Sequence, residues 1–266
     1  MQDLVVIAWN GREEALRHID FDATPDFSLY LFNYSGSDAI PSFATEKSIA
    51  GHFSYKTEFK GELLLRLQEA TAQHSYRYIG ILDDDQQISV ASINRLLQIA
   101  TELKADAFQP SIHPDSYYSH RRFLQKQGAL PDKVGWIEIM SPFLRKAIFD
   151  LAAPFYPQSI SSYGIDRCVY PYLQRKYNMD RCFLVHEVAV RHLKPVTSGL
   201  KLLSNGLDPL QEYERLRSDI LKRIAAEGLN FSKWELFRTY EVGMPPFFKW
   251  RDNFYRMLQR FSGKRP

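Results

Sequence analysis

The chain has 266 residues, of which 45% are hydrophobic, 24% charged and 14% aromatic. A net charge of +3 is too small to draw the protein to nucleic acid by bulk attraction. Two cysteines, Cys168 and Cys182, are too few for a disulfide scaffold or a cysteine-based zinc site, so a reducing compartment is expected.

The first apolar run, residues 4–8, reads as a buried strand stopped by Asn10-Gly11. It lacks a basic flank and is too short for a signal peptide or a membrane span, which predicts a cytosolic protein. A second strand is expected over 27–34, ahead of Ser35-Gly36-Ser37. From Lys60-Gly61 the leucines take helical spacing. "YRYIGILD" then reads as a central strand covered on both faces. Residues 89–105 follow as a helix with Ser89 as its N-cap, and "DAFQPSI" as another strand. Strands alternating with helices predict βαβ units, hence an α/β fold with a mostly parallel sheet flanked by helices.

Further on, residues 136–140 read as a strand, a Ser-Pro turn follows, and a helix begins near Phe143. "SSYGIDRCVYPYLQRKY" reads as a loop entering a helix near Asp166. "RCFLVHEVAVRHLKPV" alternates like a strand and stops at Pro195. Beyond Gly206 the pattern turns helical and charged. The expected division is a catalytic domain over 1–205 and a helical, basic-aromatic C-terminal extension over 206–266.

The sharpest chemical signal is "YIGILDDDQQIS", where three carboxylates follow an apolar strand. Open α/β sheets bind ligands at the carboxyl ends of their strands. On an extended backbone Asp83 and Asp85 share one side and Asp84 takes the other. Two carboxylates on one side make a hard-oxygen site for Mn²⁺ or Mg²⁺, which relieves their repulsion and carries a substrate diphosphate. Neither a Gly-x-x-x-x-Gly-Lys loop nor a Gly-x-Gly-x-x-Gly fingerprint is present to hold phosphate another way.

A strand ending in Asp-x-Asp inside a βαβ region resembles the GT-A class of glycosyltransferases. The stretches "LVVIAWNG", "FKGELL", "YIGILDDDQQIS", "GWIEIMSPFLRKAIF", "SYGIDRCV" and "VAVRHLKPV" narrow the resemblance to the family labelled domain of unknown function number 707. The class resemblance implies a Rossmann-like GT-A fold and a hexosyltransferase-type activity. It further implies a nucleotide-diphosphate sugar as donor and a glycan or lipid-linked glycan as acceptor. It implies that Asp83 lies near the ribose or base, Asp84 nearest the donor sugar, and Asp85 on the metal. His192 matches a third metal ligand. Asp166 matches the acid that deprotonates the acceptor hydroxyl in inverting enzymes.

Other residues enter on their own chemistry. His186 lies an even number of positions before His192, on the same side of an extended strand, and is the alternative ligand. Glu138 stands between apolar neighbours, and a buried acid needs a partner, either an acceptor hydroxyl or an arginine. Lys60 at a helix start can reach a phosphate. Asn10 is placed to contact a nucleotide base by analogy of fold. Tyr163 can stack on a sugar, whereas Trp136 suits the core.

The segment 231–266 carries eight Lys/Arg against three Asp/Glu among aromatics. It reads as a basic amphipathic helix for peripheral contact at the inner face of a membrane. Two alternatives stand beside the transferase reading. A nucleotidyltransferase would carry a Gly-rich basic loop near the first strand, where "AWNGREEAL" offers one Gly and one Arg. A non-catalytic nucleotide- or sugar-binding module would keep the fold without the chemistry.

Overall fold

A computed structural model describes residues 1–195 and 202–229. The expected α/β architecture is present, with one mostly parallel sheet between helical layers. In chain order the elements are β1 (Gln2–Trp9), a 3₁₀ turn at Glu13–His18, β2 (Ile19–Asp20), β3 (Ser28–Asn33), β4 (Ile49–Ser54), α1 (Lys60–Thr71), β5 (Tyr76–Leu82), β6 (Gln86–Ser89), α2 (Val90–Glu102), β7 (Ala107–Ile112), β8 (Asp132–Lys133), β9 (Phe143–Arg145), α3 (Lys146–Leu151), a π turn at Ile165–Val169, α4 (Tyr170–Lys176), β10 (Cys182–His192) and α5 (Pro209–Ala226).

The sheet order is β2-β6-β10-β7-β9-β5-β1-β3-β4, with β8 added beside β10. β1 runs parallel to both β3 and β5 at the centre. Its unbroken apolar run follows from that position. Leu4, Val6 and Ala8 enter one core cluster and Val5, Ile7 and Trp9 enter the other, as a strand covered on both faces requires. α1 fills the first cluster with Leu63, Leu64 and Leu67, and α2 fills the second with Ile93, Leu96 and Leu97. Ser89 caps α2 as expected, its hydroxyl accepting from the Ser92 amide at 3.1 Å.

Two expectations are corrected. Residues 136–140 are irregular, not a strand. Trp136 and Met140 bury in a side cluster with Phe123 and Leu184. The strand is β9 instead, wedged antiparallel between β5 and β7, and the helix starts at Lys146. Gly80 makes this wedge fit, because a Cβ there would lie 2.2 Å from the Phe143 ring. α5 contributes Tyr213, Leu216, Ile220 and Ile224 to the same core cluster as β1 and α1. The short strands β4 and β6 were not expected. The 231–266 segment lies outside the described residues.

Candidate functional site

β1, β3, β5, β7 and β10 all point the same way, so their carboxyl ends meet along one edge of the sheet. That edge carries Asn10 after β1, Tyr34 after β3, the three aspartates after β5 and His192 at the end of β10.

The aspartates do not continue the strand. A turn closes there, with the Gln86 amide donating to the Asp83 carbonyl at 3.2 Å. The carboxylates therefore fan out to three different partners, which corrects the two-on-one-side expectation. Asp83 receives the Lys60 ammonium on both oxygens at 2.8 Å, and Lys60 also donates to the Met140 carbonyl at 3.0 Å. Gln86, fully buried, bridges the same region, accepting from the Asp83 amide and donating to the Met140 carbonyl. Asp84 is buried and accepts from the Tyr34 hydroxyl at 2.8 Å, with the Lys194 ammonium 3.6 Å from its other oxygen. Burial and Asp84 push the Tyr34 phenol well up, so it stays a donor. Asp85 faces His192, with Oδ2 3.4 Å from Nε2. Burial alone would raise the Asp85 pKa. The His192 hydrogen bond and charge, aided by Lys194 and Lys60, carry it below the usual carboxylate value.

A metal test follows from this pair. Asp85 Oδ1 and His192 Nδ1 are buried without a hydrogen-bond partner among the described residues. One carboxylate and one imidazole suit Mn²⁺ or Mg²⁺ that takes its remaining ligands from water and phosphate. Asp83 is committed to Lys60, and no group of three His, Cys, Asp or Glu able to hold a metal occurs among the described residues. Of the expected trio Asp83, Asp85 and His192, only Asp85 and His192 keep a buried atom without a hydrogen-bond partner among the described residues. His186 is excluded outright. Its Nε2 lies 3.1 Å from Asp132, its Nδ1 accepts from the Lys126 amide, and its side chain is fully buried. The register of β10 slips between Val185 and Ala189, so counting positions back from His192 no longer tells the side.

The aspartate turn separates two hollows. On one side an open groove of about 580 Å³ is lined by Asn10, Arg12, Glu14, Ala15, His18, Asp84 and Lys194. On the other a smaller cleft of about 170 Å³ gathers Lys60, Asp83, Glu138, Tyr163, Asp166 and Tyr213, with Ser119 and Arg167 also at its wall. Asp83 and Asp84 therefore line different hollows. Asp84 belongs with Asn10, and Asp83 with Asp166. Five expected residues from distant positions (Lys60, Asp83, Glu138, Tyr163 and Asp166) do converge in one cleft. Arg12, Arg167, Lys194 and Tyr213 join the two hollows without having been singled out by sequence.

Inside the cleft, Asp166 enters from the π turn and accepts from the Ile139 amide at 3.1 Å. Burial raises its pKa, while Arg167 and backbone amides oppose the rise. Glu138, one residue before Ile139, has a buried Oε2 without a hydrogen-bond partner among the described residues. Its pKa is pushed up to about 7 by burial and by the charge of Asp166, against the pull of Ser119, Arg167 and His192.

That shift predicts a pH-dependent cost. Below about pH 4.5 both folded and unfolded chains hold the Glu138 proton and the group contributes nothing. As pH rises to about 7 only the unfolded chain releases it, and stability falls; above that the cost is complete, at roughly 3 kcal/mol. Glu138→Gln should therefore gain on wild type by about that amount between pH 4 and pH 8. Urea titrations at the two pH values read the difference, and equal offsets would remove the assignment.

No described protein family matches the chain, the one labelled 707 included, and no curated protein matches it. Among solved structures it is similar to S. aureus TarS 1–349 in complex with UDP-GlcNAc, at 13% identity and TM-score 0.47, covering 99% of this chain and 74% of that one. S. aureus TarS 1–349 alone gives 11% identity and TM-score 0.46, with 97% and 80% covered. Its complex with UDP gives 12% and 0.42, with 98% and 81% covered.

Proposed function

We propose that the chain is a metal-dependent glycosyltransferase of the GT-A type, moving a sugar from a nucleotide-diphosphate donor to a hydroxyl of a glycan or lipid-linked acceptor with inversion. The carrying observation is the acidic turn at the carboxyl end of the central strands, with a groove on one side and a two-acid cleft on the other. In this reading the groove takes the nucleotide, with Asn10 toward the base and Arg12 and Lys194 toward the phosphates. Asp85 and His192 hold Mn²⁺ or Mg²⁺, which when bound stabilises negative charge on the diphosphate oxygens. Lys60 keeps Asp83 paired at the boundary between the hollows.

The cleft takes the acceptor. Tyr163 and Tyr213 supply apolar walls for a sugar ring. Glu138 meets an acceptor hydroxyl through its unpartnered oxygen. Asp166 takes the proton from the attacking hydroxyl. The acceptor oxygen bonds to the sugar carbon as that carbon's bond to the diphosphate oxygen breaks, and the electron pair leaves with the nucleoside diphosphate.

A panel of UDP-, GDP-, CMP- and TDP-sugars with Mn²⁺ tests the proposal, and release of free nucleoside phosphate is the expected result. Pyrophosphate released from a nucleoside triphosphate instead would favour a nucleotidyltransferase, and binding without turnover a recognition module. No helix among the described residues is long and apolar enough to cross a membrane.

A further inference from the structure

Helix α5 begins with a complete cap. Asp208 accepts from the Leu210 and Gln211 amides, and Gln211 returns the bond to the Asp208 amide at 2.9 Å. One turn on, Glu212 is wholly buried, although it is a charged residue on a helix otherwise rich in exposed charge. Every donor it meets comes from one loop or from the lead-in to its own helix. Oε1 accepts from the Ile160 amide at 3.0 Å and from the Asn205 side chain at 2.7 Å. Oε2 accepts from the Ser161 amide at 2.9 Å and from the Ser161 hydroxyl, with the Ser159 hydroxyl oxygen 3.4 Å away. Ser159 in turn donates to the Tyr163 carbonyl at 2.9 Å.

This loop carries Tyr163 and leads through Gly164 to Asp166. Ser162 and Gly164 both hold positive φ, at 70° and 88°, a shape that a serine keeps only when its surroundings fix it. On the far side the Gly61 amide donates to the Ile160 carbonyl at 2.9 Å. The loop is thus clamped between α1 and α5. Glu212 does not line either hollow.

We infer that Glu212 is a positioning residue: it fixes the 159–166 loop so that Tyr163 and Asp166 face the acceptor, leaving the donor groove independent of it. The inference rests on the transferase reading for its link to the acceptor, and on the loop contacts for the clamp itself. Two variants test it, Glu212→Gln, which puts an amide group against donors, and Ser161→Ala, which deletes one hydroxyl and leaves the backbone donors. Hydrogen exchange of peptides covering 159–166 should speed up in both, more in Glu212→Gln, with α2 and β1 unchanged. With the nucleotide sugar active in the panel and methyl glycosides as acceptors, acceptor KM should rise about tenfold or more in Glu212→Gln, while donor KM stays within about twofold. A donor KM that rises as much as the acceptor KM would overturn the inference, as would unchanged exchange over 159–166. If wild type transfers nothing from any donor, the transferase reading falls and exchange alone decides whether Glu212 clamps the loop.

Discussion

Asp166→Asn is expected to lower kcat for sugar transfer by about 10²–10⁴, the usual worth of a positioned general base. Asparagine keeps the shape and can still accept from the Ile139 amide. It loses only the capacity to take a proton. The rival role for Asp166 is electrostatic, a carboxylate in the first turn of a short helical stretch, where charge is worth about 0.3–1 kcal/mol. That role predicts a modest loss of stability. The burial that raises the Asp166 pKa predicts the opposite, because a neutral amide escapes the cost of ionising there. A melting temperature unchanged or higher, with donor KM unchanged and kcat reduced, therefore identifies chemistry. A lower melting temperature with kcat intact would return Asp166 to the helix. Glu138→Gln, measured beside it, separates the two acids, because orientation by Glu138 acts on acceptor KM more than on kcat.

How much of this was legible follows from what each signal depends on. The apolar runs of β1 and β5, and the acids that end the second, depend on local order alone, and they fixed the sheet edge that matters. Lys60, Glu138, Tyr163 and Asp166 were each visible as chemistry in a suggestive local frame. Their convergence was not visible, because it depends on the short β9 wedging between β5 and β7 and swinging residues 136–142 across the sheet edge. A period of two assigns sides only while a strand stays regular. It failed for the aspartates, where the chain turns, and for His186, where β10 slips register. Arg12 and Lys194 read as ordinary surface charge. Glu212 was the least readable, since a carboxylate in the first turns of a charged amphipathic helix looks solvated until the loop that covers it is known. A hint did exist in "SNGLDPLQE", whose Asp208-Pro209 and Gln211 spell a capped helix start and so place Glu212 at a fixed angle behind it.

The other large effect concerns Gly61, which follows Lys60 at the start of α1. Gly61→Ala is expected to cost about 3 kcal/mol or more. On helix propensity alone alanine should gain up to about 1 kcal/mol over glycine. Sterics reverse the sign. A Cβ at this position would lie 1.8 Å from the Ser159 carbonyl oxygen and 2.6 Å from that of Ile160, both backbone atoms that no rotamer change can move. Relief requires the 159–161 backbone to shift by more than about 1 Å, against the donors that Glu212 holds from the other side. The shift also loosens the Gly61–Ile160 hydrogen bond and draws Lys60 from Asp83 and Met140. Gly128→Ala is the control. It has positive φ, at 71°, but open space around the added carbon, so only the backbone strain of about 1–2 kcal/mol applies. Denaturant unfolding of both variants reads the contrast, and a Gly61→Ala cost no larger than that of Gly128→Ala would mean that the loop yields freely. The clamp makes one more demand. In a Glu212→Gln background the loop is already released on one side, so Gly61→Ala should cost measurably less than in wild type, a non-additivity of 0.5 kcal/mol or more on the order of coupled neighbours.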